Sequence, residues 1–186
     1  MKPHSAYGFE ELYQKHCNTF SDIQGHLPVL KWLAKEVARG CIVELGTRFG
    51  VSTAALAAGM YQKSELITVD LVRNEPHVSQ LEWLAHRENK DLRFLQQDSR
   101  EPIESAPGID LLFIDSYHTR KQLEAELKQH AAKVRKWLVL HDTETYRDIG
   151  EDGGDGLGKV DITSLGFLGF MHLDAWNGLT VYKRHS

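Results

Sequence analysis

Apolar positions along this chain change period repeatedly between that of a helix and that of a buried strand. Leu27, Leu30, Ala34 and Val37 recur at helical spacing, and Arg39–Gly40 closes that segment. Residues 41–45 follow as a short apolar run ending in glycine, which predicts a strand. Residues 51–61 predict an alanine-rich helix, 66–70 a second strand, and 76–89 a helix with proline near its start. Residues 92–95 and 109–115 read as the third and fourth strands. Thr119 predicts the N-cap of a helix carrying Leu123, Leu127, Ala131 and Val134 on one face. Residues 137–140 form the fifth predicted strand, running into His141–Asp142. Residues 170–173 and 179–182, joined through the Asn177–Gly178 turn signal, predict an antiparallel hairpin at the sheet's edge.

Strands that are apolar throughout, rather than alternating, imply a parallel sheet covered by helices on both faces. The expectation is therefore an α/β protein, with 1–186 forming a single domain. Residues 1–25 read as a helical N-terminal preface, and residues 143–169 as an acidic, Gly-rich loop region. Between Gly150 and Gly169 seven positions are glycine, and Asp148, Glu151, Asp152 and Asp155 acidify the first half. That segment is either a mobile loop beside a site or a plain connection.

Composition removes several classes. The chain has 186 residues, 26 acidic and 22 basic side chains and a net charge of -4, which leaves no electrostatic footprint for duplex nucleic acid. No apolar stretch approaches the roughly 20 residues of a membrane span, and the N-terminus lacks a secretory apolar core. Cys17 and Cys41 have no metal-ligand spacing and read as reduced thiols, so a cytoplasmic location is expected.

Placement of the acidic residues says more than their number. Glu44, Asp70, Asp98, Asp115 and Asp142 all fall at or just beyond predicted strand ends, where ligands bind in open parallel sheets. The turn after the first strand carries Gly46, Thr47, Gly50 and Ser52. Its G-x-x-x-G spacing differs from the G-x-G-x-x-G of dinucleotide binders, which disfavours a nicotinamide-dependent oxidoreductase. Asp70, 24 residues after Gly46 at the next strand end, stands where a carboxylate accepts hydrogen bonds from both ribose hydroxyls. Turn and carboxylate together favour a nucleoside cofactor.

The run from Glu44 to Ser52 resembles the first motif of class I S-adenosylmethionine-dependent methyltransferases. Phe113-Ile-Asp115-Ser-Tyr-His118, then a long helix and Leu138-Val-Leu-His141-Asp142, resembles the cephalosporin-hydroxylase-like and macrolide-sugar O-methyltransferase group. The resemblance implies a Rossmann-like three-layer sandwich with a seven-stranded, mostly parallel sheet. It implies that S-adenosyl-L-methionine is held by Glu44, Gly46, Thr47, Gly50 and Ser52 at its methionine part, by Asp70 at the ribose, and by Asp98 and Ser99 at the adenine. It also implies a divalent metal, Mg or Mn, on Asp115 and Asp142 with neighbouring His141, and His118 with Asp115 as catalytic residues. His141 departs from the acidic residue usual there, and an imidazole suits Mg poorly. The implied reaction is methyl transfer to a hydroxyl of a small molecule, such as a sugar or glycosylated metabolite. No nucleic-acid or membrane partner is expected, and a homo-oligomer is compatible with the sequence. The rival of a different class is a cofactor-binding or regulatory subunit without turnover.

Overall fold

A computed structural model describes residues 7–185, so the first six residues of the expected helical preface lie outside it. The chain runs α1 (Phe9–Cys17), α2 (Leu27–Lys35), β1 (Cys41–Leu45), α3 (Val51–Gly59), β2 (Glu65–Asp70) and α4 (His77–Glu88). It continues through β3 (Asp91–Gln96), β4 (Ile109–Ile114), α5 (Arg120–His130), β5 (Val134–His141), β6 (Phe167–Leu173) and β7 (Leu179–Arg184). The sheet has seven strands in the order β3-β2-β1-β4-β5-β7-β6. The first five strands are parallel to one another, while β7 runs antiparallel between β5 and β6.

Both faces of the sheet are apolar, which is why the strands read as continuous runs. Ile42, Leu66, Leu111, Phe113 and Val139 pack with α1–α4 on one side. Val43, Leu45, Ile67, Val69, Leu112, Leu138 and Leu140 pack with α5 and the loop residues Leu157 and Ile162 on the other.

Two expectations change. Val134 is not on the face of the preceding helix: α5 ends at His130, a 3-10 turn spans Ala131–Lys133, and Val134 begins β5. The apolar spacing continues past the helix because Val134 still faces the same core as Leu123 and Leu127. The preface is only partly helical, since residues 18–23 between α1 and the Gln24–His26 3-10 turn are irregular. The outcome that matters for function is that β1 to β5 all end on one rim.

Candidate active site

The turn after β1 is shaped by its glycines, though against protein rather than ligand. Gly46 has φ +102°, and a Cβ there would lie 2.0 Å from the Asp115 carbonyl oxygen. Gly50, at φ +73°, caps α3, and a Cβ would meet Leu81 Cδ1 at 2.6 Å. Both conformations favour glycine, and both positions let a neighbouring segment close in. The approach at Gly46 places the start of the Asp115 loop against the first turn, where the Asp115 N–H donates to the Leu45 carbonyl at 2.8 Å.

Glu44 is fully buried beneath this turn rather than on a cavity wall. Its Oε2 accepts from Thr53 Oγ1 of α3 at 2.6 Å and from Thr68 Oγ1 of β2 at 2.5 Å. Thr68 has one proton and gives it to Glu44, so Thr47 Oγ1, 2.5 Å from Thr68 Oγ1, is the donor of that second bond. Burial pushes the Glu44 carboxyl up to about 7, against the opposing effect of the Ser52, Thr53 and Thr68 hydroxyls.

Two cavities open side by side above the strand ends. One, of about 450 Å³, is lined by Asp70, Gln97, Asp98, Ser99 and Gln122. The other, of about 840 Å³, is lined by Thr47, Val51, Ser52, His118, Asp142 and Tyr146, with Phe20 and Phe49 at its mouth. Gly46, Arg48, Asp115, Ser116 and Tyr117 belong to both walls, so the cavities form one trough. Each lies in the ordinary size range of small-molecule sites. Asp70 accepts from the backbone N–H of Arg48 (2.8 Å) and of Val72 (3.1 Å), one per carboxylate oxygen, which leaves lone pairs on both. Asp98 is clamped by Arg100, whose Nε and Nη2 reach its oxygens at 2.9 and 2.5 Å and hold its carboxyl below the usual range. Ser99 Oγ is turned away, donating to the buried Glu126 at 2.6 Å.

The other end of the trough is a dense knot of acids and imidazoles. His118 Nε2 lies 2.9 Å from Asp142 Oδ2 and 3.3 Å from Asp115 Oδ1. His141 Nδ1 lies 3.1 Å from Asp115 Oδ1 and 3.4 Å from Asp142 Oδ2. Burial would lower both imidazoles, yet the two carboxylates hold His118 up to about 10 and His141 to about 9. Asp142 is pulled far below the ordinary carboxylate range by both imidazoles, which overcome its burial. Asp115 is likewise lowered by His141 and His118 against the effect of burial. Asp142 sits at φ +58°, and its Oδ1 is buried without a hydrogen-bond partner. One ligand atom from each of Asp115, His118 and Asp142 lies within 4.8 Å of the others, a cluster sized for a cation. His141 falls outside that set, and its ring meets His26 edge-on at 5.2 Å. Burial, with repulsion from His141, lowers His26 to about 4, so His26 is neutral beside the knot.

The trough thus gathers Gly46, Thr47, Ser52, Asp70, Asp98, Ser99, Asp115, His118 and Asp142, and leaves Glu44 beneath it, Gly50 at the cap of α3 and the buried His141 behind its wall. Sequence reasoning missed Tyr146, whose ring stacks on His118 at 4.9 Å and 1°, and Glu151, which hydrogen-bonds His118 Nδ1 at 3.1 Å. It also missed Glu126, the buried acceptor shared by Ser99, Ser116 and Gln122. For Glu126 a signal existed: a glutamate on the apolar stripe of α5, between Leu123 and Leu127.

Comparison with known proteins bears on the family and the fold. Residues 43–143 match a family model described as a methyltransferase domain. No curated protein matches the chain in sequence. A putative caffeoyl-CoA O-methyltransferase from Staphylococcus aureus superposes with a TM-score of 0.64 at 16% identity, over 97% of this chain and 94% of that one. A methyltransferase from Geobacter sulfurreducens gives 0.63 at 13% identity, over 100% and 92%. An O-methyltransferase from Bacillus cereus, solved in complex with SAH, gives 0.57 at 17% identity, over 99% and 93%.

Proposed function

Because the chain belongs to the methyltransferase-domain family, we propose that it transfers a methyl group from S-adenosylmethionine to a hydroxyl of a small molecule. A sugar or glycosylated metabolite is the acceptor class inferred from the Asp115–His118 and His141–Asp142 pattern. The observation that carries this reading is the continuity of the trough: the Asp70–Asp98 cavity shares its Gly46, Asp115 and Tyr117 walls with the acid–imidazole knot. Asp70, with lone pairs free on both oxygens, would hold the ribose diol. Asp98 and Ser99 would flank the adenine, and Thr47 and Ser52 the methionine part. The whole chain acts as one methyltransferase unit in this reading, in the cytoplasm; among the described residues no helix is long and apolar enough to cross a membrane.

A hydroxyl attacks the sulfonium methyl only as its proton leaves, so the site must take that proton or lower the hydroxyl's pKa. His118 holds a proton to about pH 10 between two carboxylates, which withholds it as a base at neutral pH. The same carboxylate pair, with the orphan Asp142 Oδ1, suits a divalent cation. Asp115, Asp142 and His118 Nε2 would hold it once the cation displaces the Nε2 proton, and an imidazole in the donor set favours Mn over Mg. When bound, a cation supplies Lewis acidity that makes the hydroxyl a better nucleophile. A second reading keeps the carboxylates and His141 as ligands and frees His118 as general base, a contribution of about 10²–10⁴-fold.

Incubation with methyl-labelled S-adenosylmethionine and a panel of sugars, glycosides and phenols, with and without chelator, tests the reading. Labelled methyl ether that diminishes with chelator supports it. Cofactor binding with no product across the panel favours the non-catalytic subunit.

A further inference from the structure

The acidic, glycine-rich segment after β5 plays no part in the transfer as described so far. It is not free, and its Glu151 lines the larger end of the trough. Ile149 and Asp155 form an antiparallel bridge, and the Gly150 N–H donates to the Gly154 carbonyl at 2.8 Å. Arg120 anchors the far side, its N–H donating to the Asp155 carbonyl at 3.0 Å and its Nη1 to Asp155 Oδ2 at 3.2 Å. At Gly150 a Cβ would lie 2.9 Å from the Asp155 oxygen and 3.1 Å from the His118 oxygen, so glycine lets the loop press against His118.

Glu151 then meets His118 from both directions. Its N–H donates to the His118 carbonyl at 3.0 Å, and its Oε2 accepts the His118 N–H at 3.2 Å. The same Oε2 lies 3.1 Å from His118 Nδ1. With Nδ1 engaged and Tyr146 stacked on one face of the ring, Nε2 is the nitrogen turned to Asp115 and Asp142.

We propose that Glu151 is a positioning residue for the reaction: its carboxylate holds the Nδ1–H of His118 so that Nε2 is aimed at the Asp115–Asp142 pair. Carboxylates that fix the second nitrogen of a functional imidazole set its tautomer and its orientation. The sequence hides this because Glu151 stands 33 residues from His118 in a segment that reads as solvated loop. The proposal rests on the reading of the Asp115–His118–Asp142 knot as the reacting half, but its test does not depend on methyl transfer.

Metal-free protein labelled with 15N in histidine provides the readout. The Nδ1–H of His118, identified by its absence in His118→Ala, is expected as a slowly exchanging downfield proton in the wild type. It persists in Glu151→Gln, whose amide oxygen accepts the same bond, and is lost in Glu151→Ala. Mn²⁺ affinity by calorimetry falls about 10–100-fold in Glu151→Ala and recovers in Glu151→Gln. Gly150→Ala, which keeps Glu151 but crowds the loop off His118, is expected to weaken the same proton signal. An unchanged His118 signal in Glu151→Ala, or equal loss in the Gln and Ala variants, overturns the proposal. A protein that binds neither Mn²⁺ nor S-adenosylhomocysteine, yet keeps a Glu151-dependent His118 signal, sinks the methyl-transfer reading and supports the clamp.

Discussion

On the β2–β3 side of the rim, Asp70 and Asp98 stand half-exposed, each bound to groups within its own turn or the neighbouring one. On the β4–β5 side, Asp115, His118, His141 and Asp142 interlock across separate loops, and His141 and Asp142 are buried. The first side offers open acceptors to a ligand that brings its own donors. The second already satisfies most of its charge internally, so whatever binds there must displace a proton or replace a counter-charge. A cofactor that docks and leaves suits the first arrangement, and a group that must be activated suits the second.

Gly46 joins the halves, and replacing it should produce the largest effect. Gly46→Ala puts a Cβ 2.0 Å from the Asp115 carbonyl oxygen at φ +102°. Backbone strain alone should cost about 1–3 kcal/mol. The clash adds to that, and both S-adenosylhomocysteine and Mn²⁺ binding should fall together in calorimetry. Loss of only one would break the idea of a shared wall.

Asp142→Asn addresses the buried side alone. It removes a carboxylate from two imidazoles, and Mn²⁺ affinity should drop by more than the roughly 100-fold upper range of an outer-shell loss. S-adenosylhomocysteine affinity should hardly change.

Stability against pH should report the same side. His118 and His141 titrate at about 10 and about 9 in the fold, against an ordinary value of 6.5. Their stabilisation is therefore complete below pH 6.5 and is lost as pH rises through 9 and 10. Metal-free protein followed by urea denaturation from pH 6.5 to 10 should lose several kcal/mol of stability. Asp115→Asn should flatten the slope, and a flat wild-type profile would mean the imidazolium–carboxylate knot does not form.

The exposed side predicts smaller numbers. Asp70→Ala should weaken S-adenosylhomocysteine binding about tenfold, equivalent to about 1.4 kcal/mol, without altering Mn²⁺ affinity. Asp98→Ala should change it less, because Arg100 already holds that carboxylate.

How much of this was legible follows the same division. Asp70 and Asp98 could be placed from sequence because each belongs to a strand end read from local apolar pattern. The agreement of the strand order and the family match with the class I resemblance has the same origin: β1 to β5 are short apolar runs with glycine, aspartate or histidine at their ends. The buried side depends on contacts that no local pattern encodes. Glu151 reaches His118 from the loop after β5, and His26 reaches His141 from the turn before α2. The resemblance assigns Glu44 to the methionine part of the cofactor, but from the penultimate position of β1 its side chain turns toward Thr53 and Thr68 instead.

In the proposed function an S-adenosyl ligand and a cation occupy two ends of one trough. Calorimetric titration of the wild type and Asp70→Ala with S-adenosylhomocysteine, before and after saturation with Mn²⁺, tests it most directly. Saturable one-to-one binding is expected in the wild type, weakened by Asp70→Ala whether or not Mn²⁺ is bound. No saturable binding, or binding indifferent to Asp70, would contradict it.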